Sequence, residues 1–155
     1  MNTQTTDRIV REIILKAPLS RVWKAISDAQ EFGEWFKVDM SGQTFRAGQP
    51  VRGKTTYPGY EGMPFEMVVA QVEPERLFSF RWHPYSGEPA YDYADEPMTL
   101  VEFELEEVGG GTKLTVTESG FDSIPLARRA EAFRMNSEGW AIQMENVRKY
   151  VESQS

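Results

Sequence analysis

The clearest candidate for proton transfer in this chain is His83, the only histidine in the sequence. An imidazole titrates near neutral pH, so it can act as a general base wherever it meets a substrate. His83 ends an alternating segment whose large apolar residues are Phe78, Phe80 and Trp82. Successive side chains of a strand point to opposite faces, so His83 should project from the outer face, just before Pro84 ends the strand. We therefore interpret His83 as a structural or solvent-facing residue at the sheet rim, unless a β-bulge reverses the parity.

Glu118 is the second candidate, and the same parity test points it inward. In the segment KLTVTESGF, Leu114 and Val116 form the inward set, and Glu118 continues it near the strand end. A carboxylate in that position is costly unless it is paired or hydrogen-bonded. Two interpretations remain open: a rim residue bonded to the backbone of the following SGF, or a side chain that contacts a ligand.

Other catalytic signatures are absent from the sequence. It contains no G-x-S-x-G elbow, phosphate-binding loop, G-x-G-x-x-G or H-E-x-x-H motif, and GGGT at 109–112 is typical of a hairpin turn. With one histidine and no cysteine, only carboxylates could bind a metal, and Asp92, Asp95 and Glu96 lack the calcium-loop spacing. We predict no metal and no cofactor.

Aromatic residues are plentiful on the predicted inner surfaces. They could form an ordinary core or line an apolar pocket, and composition by itself favours the core. If a pocket is present, Tyr57 or Glu118 would orient the bound molecule. The predicted ligand-binding residues are Trp35, Phe36, Tyr57, Phe80, Trp82, Phe103, Glu118, Phe133, Trp140 and Met144.

The elements that must position these residues follow from periodicity. Residues 8–16 are rich in β-branched side chains and indicate a strand, and residues 17–36 show helical spacing, interrupted near Asp28 and Gly33, that predicts two short helices. Between Val38 and Gly120 the period changes to two, and turn residues separate about six strands. Short turns between consecutive strands predict an antiparallel meander.

A long amphipathic helix is predicted at the C-terminal end. Gly139 weakens its middle and suggests a bend or break near Asn136. An antiparallel sheet needs one face covered, and this helix is the element large enough to cover it. We predict one α+β domain over 1–155, with 1–7 disordered and a strand, two helices, six strands and one helix in order. The apolar positions of the last helix are Leu126, Ala130, Phe133, Trp140, Met144, Val147 and Val151.

Charge and length exclude several classes of function. The net charge is -7, with 24 acidic against 17 basic residues, which argues against nucleic-acid binding. No run approaches the roughly 20 apolar residues of a membrane span, and no signal peptide is evident at the start. We expect a cytoplasmic protein. Its oligomeric state is left open, with a homodimer as one alternative.

The pattern as a whole resembles the START-like helix-grip superfamily, in the branch of the activator of the ninety-kilodalton heat-shock-protein ATPase. The resemblance rests on APLSRVWKAISDAQEFGEWF, VEPERLFSFRWH, TLVEFELEEVGGGTKLTVTESGF and EGWAIQMENVRKYV, which together cover nearly all of the chain. It implies a curved antiparallel sheet that grips the C-terminal helix, with a cavity that receives a hydrophobic small molecule in many relatives. Relatives include carriers, polyketide aromatase/cyclases and a chaperone activator, so the fold does not supply the function.

The favoured hypothesis is a module that binds an apolar or aromatic small molecule between sheet and helix. One alternative is an enzyme of the polyketide cyclase or dehydratase type, in which Glu118 or a tyrosine moves a proton. Another is a chaperone-associated interaction domain that uses the outer sheet. The chaperone activator has a further domain that this chain lacks, which makes a chaperone partner the less favoured of these.

Overall fold

The elements occur in the predicted order. The computed structural model describes residues 8–83 and 97–153. Segment 1–7, predicted to be disordered, and the acidic residues Asp92, Asp95 and Glu96 lie outside the described residues. The elements are β1 (Arg8–Leu15), α1 (Leu19–Ser27), α2 (Ala29–Phe36), β2 (Val38–Asp39), β3 (Pro50–Thr55), β4 (Pro64–Glu73), β5 (Leu77–Trp82), β6 (Thr99–Val108), β7 (Gly111–Ser119), a 3-10 turn (Phe121–Ser123) and α3 (Leu126–Ser153).

The strands form one curved, seven-stranded antiparallel sheet in the order β1-β7-β6-β5-β4-β3-β2. The predicted meander is therefore confirmed for β2 to β7, where each strand pairs with its neighbour in the sequence. The remaining partner of β7 is β1, from the opposite end of the chain, and in this pairing Ile9 lies across from Glu118. The α+β helix-grip prediction is confirmed.

The inner face of the sheet follows the alternation read from the sequence. In β7 every second residue, from Thr112 to Glu118, is buried. In β4 the pairing shifts between Val69 and Gln71, where a bulge adds one residue. Val69 pairs with Phe80 and Val72 pairs with Phe78, and both phenylalanines face inward. In a regular strand Val69 and Val72 would point to opposite faces, so the extra residue of the bulge is what allows both pairings.

The two short helices are separated at Asp28, as predicted. Its side chain accepts hydrogen bonds from the backbone N–H groups of Gln30 and Glu31, which makes it the N-cap of α2. Gly33 allows α2 to approach β2 closely, since a Cβ at this position would lie 2.2 Å from the carbonyl oxygen of Val38. These contacts hold α2 and its aromatic residues against the end of the sheet.

The C-terminal helix differs from the prediction in its first half. It is assigned as one helix of 28 residues, with no break at Asn136. Leu126 is 77% exposed and Ala130 is also exposed, whereas Ala132 is buried. The helix begins beyond the 3-10 turn, so its first core contacts come a turn later than the spacing indicated. No helix among the described residues is both long and apolar enough to cross a membrane.

Candidate functional site

Glu118 lies near the C-terminal end of β7, and its side chain is completely buried on the inner face of the sheet, as its parity predicted. Its Oε2 accepts hydrogen bonds from Trp82 Nε1 at 2.7 Å and from Thr99 Oγ1 at 2.5 Å. Its Oε1 accepts from Trp140 Nε1 at 2.8 Å. Asn136 Nδ2 bridges both oxygens, at 2.9 Å from Oε1 and 3.0 Å from Oε2. We call Glu118 and these four donors the Glu118 site.

Three elements bring the donors to one point. Trp82 is the last residue of β5 and Thr99 the first of β6, and the two are paired across the sheet. Asn136 and Trp140 are four residues apart on α3, so they share one face of the helix. Glu118 is followed closely by Gly120, whose φ of +101° turns the chain out of β7 toward α3. Glu118 thus links the middle of α3 to the end of the sheet.

The carboxylate is compensated by neutral donors. No ion pair to Glu118 is formed within residues 8–83 and 97–153, and Arg11 of β1 donates instead to the hydroxyl and carbonyl oxygens of Ser137. A carboxylate offers about four acceptor positions, and four donors occupy them. Hydrogen bonding therefore offsets the cost of burying this carboxylate. The donors are side chains on other elements, and not the backbone of SGF that one interpretation of the sequence expected.

Aromatic rings surround this site. Trp82 and Trp140 lie 5.8 Å apart between ring centroids, and Phe36 lies 5.9 Å from each of them. Phe103 lies 5.7 Å from Trp140, and Phe80 lies 5.3 Å from Trp82. Most of these rings are buried, while Trp82 is half-buried. We call these five residues, Phe36, Phe80, Trp82, Phe103 and Trp140, the aromatic cluster.

Phe65 extends the cluster toward the surface. This half-buried residue near the start of β4 lies 5.6 Å from Phe36 and 5.8 Å from Trp82. Trp82 and Phe65 are therefore the rings through which the cluster reaches solvent at this end of the sheet. The sequence analysis did not select Phe65, although its inward parity with Met67 and Val69 was readable from β4.

The other predicted site residues are dispersed around the cluster. Trp35 is buried, with its indole N–H donating to the Ala25 carbonyl oxygen at 2.9 Å, and Met144 is buried on α3. Phe133 is half-buried and packs on Phe121, at 5.2 Å between centroids. Tyr57 is 37% exposed in the connection between β3 and β4, where its ring neighbour is Tyr60 at 6.1 Å. The structure thus brings Glu118 together with the five cluster residues, and leaves Tyr57 and Phe133 apart from them.

Thr99 and Asn136 are functional candidates that the sequence analysis missed. Thr99 shares the inward parity of Val101 and Phe103, which marks it as a buried polar residue. Asn136 lies one helical turn before Trp140, a spacing that places both on the same face. The interruption predicted near Asn136 obscured this relation.

A second polar cluster joins the three helices on another side of the molecule. Arg21 of α1 donates to Glu31 of α2 at 2.8 Å, and the Tyr150 hydroxyl of α3 donates to Glu31 at 3.0 Å and to Glu34 at 2.7 Å. Burial by itself raises the pKa of Glu31, but the hydrogen bonds from Arg21 and Tyr150 outweigh it and lower this pKa. Burial and the two carboxylate acceptors raise the pKa of Tyr150. This cluster fastens α3 to α1 and α2.

Metal coordination finds no support in the described part of the chain. Within residues 8–83 and 97–153, no three His, Cys, Asp or Glu side chains are grouped so that they could hold a metal ion. Two surface depressions are lined by residues of 42–50 and by residues of 16–18 and 107–111. Neither depression includes a residue of the Glu118 site or of the aromatic cluster.

Comparison with known proteins agrees with this architecture. Residues 16–152 match the family described as activator of Hsp90 ATPase homolog 1-like protein. The chain belongs to this family. The match includes every residue of the Glu118 site and of the aromatic cluster. The comparison with curated proteins found no match.

Solved structures share the family fold at low sequence identity. Protein MLL2253 from Mesorhizobium loti is 22% identical, with a TM-score of 0.72, and the alignment covers 96% of this chain and 98% of that one. Protein NE0264 from Nitrosomonas europaea is 15% identical, with a TM-score of 0.73 and 100% coverage of both chains. A protein from Arthrobacter aurescens is 13% identical, with a TM-score of 0.76, 97% coverage of this chain and 90% of that one. At these identities the likeness shows the fold.

Proposed function

We propose that this protein binds an apolar or aromatic small molecule between the sheet and α3, at the end where the Glu118 site lies. The observation that carries the proposal is a fully buried hydrogen-bond acceptor inside the aromatic cluster, whose outer ring, Trp82, is half-buried, as is the adjoining Phe65. Binding sites for small molecules combine apolar and aromatic lining with a few placed polar groups. The fold family commonly binds hydrophobic ligands, which supports a ligand of this class.

Each group in the site has a distinct part in this proposal. Trp82, Phe36 and Trp140 supply flat apolar area, which aromatic rings contribute at little cost in side-chain entropy. Glu118 fixes the orientation of both indoles, because each indole N–H is aimed at one carboxylate oxygen. The ligand enters at the half-buried margin between Trp82 and Asn136, where β5 faces α3.

The test is an NMR titration of the whole chain with propylbenzene, a probe that has no polar group. The four tryptophans give four indole N–H signals, which are assigned by single Trp-to-Phe substitutions. We expect saturable shifts of the Trp82 and Trp140 signals. Trp23 of α1 serves as the internal reference, because it lies outside the aromatic cluster and its signal should stay in place.

Matched variants locate the binding site. Trp82→Ala should abolish the saturable shift of the Trp140 signal, whereas Tyr60→Ala, an exposed aromatic outside the cluster, should leave it unchanged. Tyr57→Ala tests whether that predicted residue adds to the site from the neighbouring connection. Equal effects on all four indole signals, or binding that survives Trp82→Ala, would place the ligand elsewhere and refute the proposal.

A further inference from the structure

We infer that the molecule bound at this site carries a quaternary ammonium group next to its apolar or aromatic body. The inference rests on the proposed function and narrows it to one chemical class. It is carried by the negative charge of Glu118, which is buried between two indole rings and is compensated by neutral donors.

Glu118 places a full negative charge inside the site. Its hydrogen-bond donors are two indoles, a hydroxyl and an amide, and none of these groups carries a positive charge. Among residues 8–83 and 97–153, no Arg, Lys or His forms an ion pair with this carboxylate. Neutral donors stabilise a charge without cancelling it, and charges attract more strongly where water is excluded. The site therefore attracts a cation and repels an anion.

The two indoles carry the effect of this charge toward the ligand. Trp82 and Trp140 each donate their N–H to one oxygen of Glu118, at 2.7 and 2.8 Å. A hydrogen bond to an anion polarises its donor, so each indole ring becomes richer in electrons. Tryptophan is also the side chain that gives the strongest cation–π contact. Trp82 is half-buried and lies 5.8 Å from the half-buried Phe65, so the outer part of the site offers two rings to a cation.

The occupied oxygens of Glu118 decide which kind of cation fits. A primary ammonium group has three N–H donors, and each of them needs an acceptor when it leaves water. All acceptor positions of Glu118 are taken by the four donors of the Glu118 site, which stay bound in this inference. A quaternary ammonium group has no N–H, so it can lie against the rings without replacing any of these donors.

Three probes of one shape test the sign of the charge: benzyltrimethylammonium, its uncharged carbon analogue neopentylbenzene, and the anion benzylsulfonate. Dissociation constants are measured by NMR titration, in which the Trp82 indole signal reports both affinity and location. We expect benzyltrimethylammonium to bind about threefold to tenfold more tightly than neopentylbenzene, as a cation–π contact at a half-buried ring implies. Benzylsulfonate should bind most weakly. Benzyldimethylammonium, which has one N–H, should bind more weakly than the quaternary ion.

Salt and substitution separate the charge of Glu118 from that of the whole chain. The net charge of -7 attracts any cation, but salt screens this long-range attraction. The preference for the cation over neopentylbenzene should therefore persist from about 0.05 to about 0.5 M sodium chloride. Glu118→Gln should remove most of this preference, whereas the control Glu104→Gln, at an exposed position of β6, should keep it.

A second variant keeps the test decisive if Glu118→Gln does not fold. Trp82→Phe replaces the indole with a ring that binds cations less strongly and has no hydrogen bond to Glu118. With the Trp140 signal as the reporter, it should weaken benzyltrimethylammonium more than neopentylbenzene. Equal losses for the two probes would mean that Trp82 contributes apolar area alone, and would overturn the inference.

The outcomes distinguish the inference from the proposed function. If neopentylbenzene binds at Trp82 at least as tightly as the cation, the inference is overturned while the binding function stands. The same holds if the preference disappears in high salt or survives in Glu118→Gln. If benzyldimethylammonium binds as tightly as the quaternary ion, the requirement for a group without N–H is overturned. If no probe moves the Trp82 signal, including propylbenzene, the proposed function fails and the inference fails with it.

Discussion

The substitution Glu118→Gln tests whether the hydrogen bonds of the Glu118 site stabilise the fold. Glutamine has nearly the same shape but replaces one acceptor oxygen with an N–H₂ donor. At the Oε1 position this amide would face the Trp140 indole N–H, now 2.8 Å away. At the Oε2 position it would face the Trp82 indole N–H, now 2.7 Å away. Thr99 can rotate its hydroxyl to accept and Asn136 can turn its amide, but an indole N–H cannot become an acceptor.

Either orientation therefore leaves one indole donor against another donor in a buried site. Losing one hydrogen bond to a carboxylate costs about 1.5–3 kcal/mol, and weakening the remaining bonds adds to this, so we expect a loss of about 2–4 kcal/mol. The free energy of unfolding is measured by urea denaturation followed by far-ultraviolet circular dichroism. Glu104→Gln, at an exposed position of the adjacent strand, is the control and should stay within about 0.5 kcal/mol of the parent.

A double-mutant cycle with Trp82→Phe assigns the cost to one donor. In the parent, Trp82→Phe removes a hydrogen bond to Glu118, whereas in Glu118→Gln it removes the conflict between two donors. The loss in free energy of unfolding caused by Trp82→Phe should therefore be at least about 1 kcal/mol smaller in Glu118→Gln than in the parent. A Glu118→Gln protein as stable as the parent, or a coupling near zero, would refute the view that these neutral donors compensate the buried carboxylate.

Further predictions concern the helices. The pKa of Glu31 is lowered on folding, so its contribution to stability is present above its ordinary pKa of 4.5 and is lost as the pH falls through the lower folded value. Glu31→Gln should therefore approach the parent in stability in acid melts as the pH falls below 4.5. Tyr150→Phe removes the hydroxyl that bonds Glu31 and Glu34, and thermal melts should show a loss of about 1 kcal/mol, whereas no loss would mean that this cluster does not hold α3. Gly139→Ala should stabilise the protein by about 1 kcal/mol in urea melts, since no heavy atom lies within 4 Å of the added methyl group. Gly33→Ala should instead destabilise it by about 1–3 kcal/mol because of the clash with the Val38 carbonyl, and a gain at both positions would contradict the close packing of α2 on β2.

The local pattern of the sequence predicted the elements well because each is determined by neighbouring residues. The period of two placed the strands, and Asp28 separated the helices because its side chain caps α2. The prediction was wrong at Leu126 and Ala130, which share the apolar spacing of α3 but are exposed. Periodicity defines a face of a helix, but it does not define how far along the helix the core extends.

The candidate site was accessible from the sequence only in part. Strand parity alone directed Glu118 inward, because the side chains of a strand alternate regardless of what lies opposite. The sequence could not show that Trp82, Thr99, Asn136 and Trp140 converge on its carboxylate, since these residues come from β5, β6 and α3. It also did not reveal that β1 pairs with β7, an association of the first and last strands of the chain. Local geometry decides the direction of a side chain, whereas its partners depend on contacts between distant segments that form only when the whole sheet closes around α3.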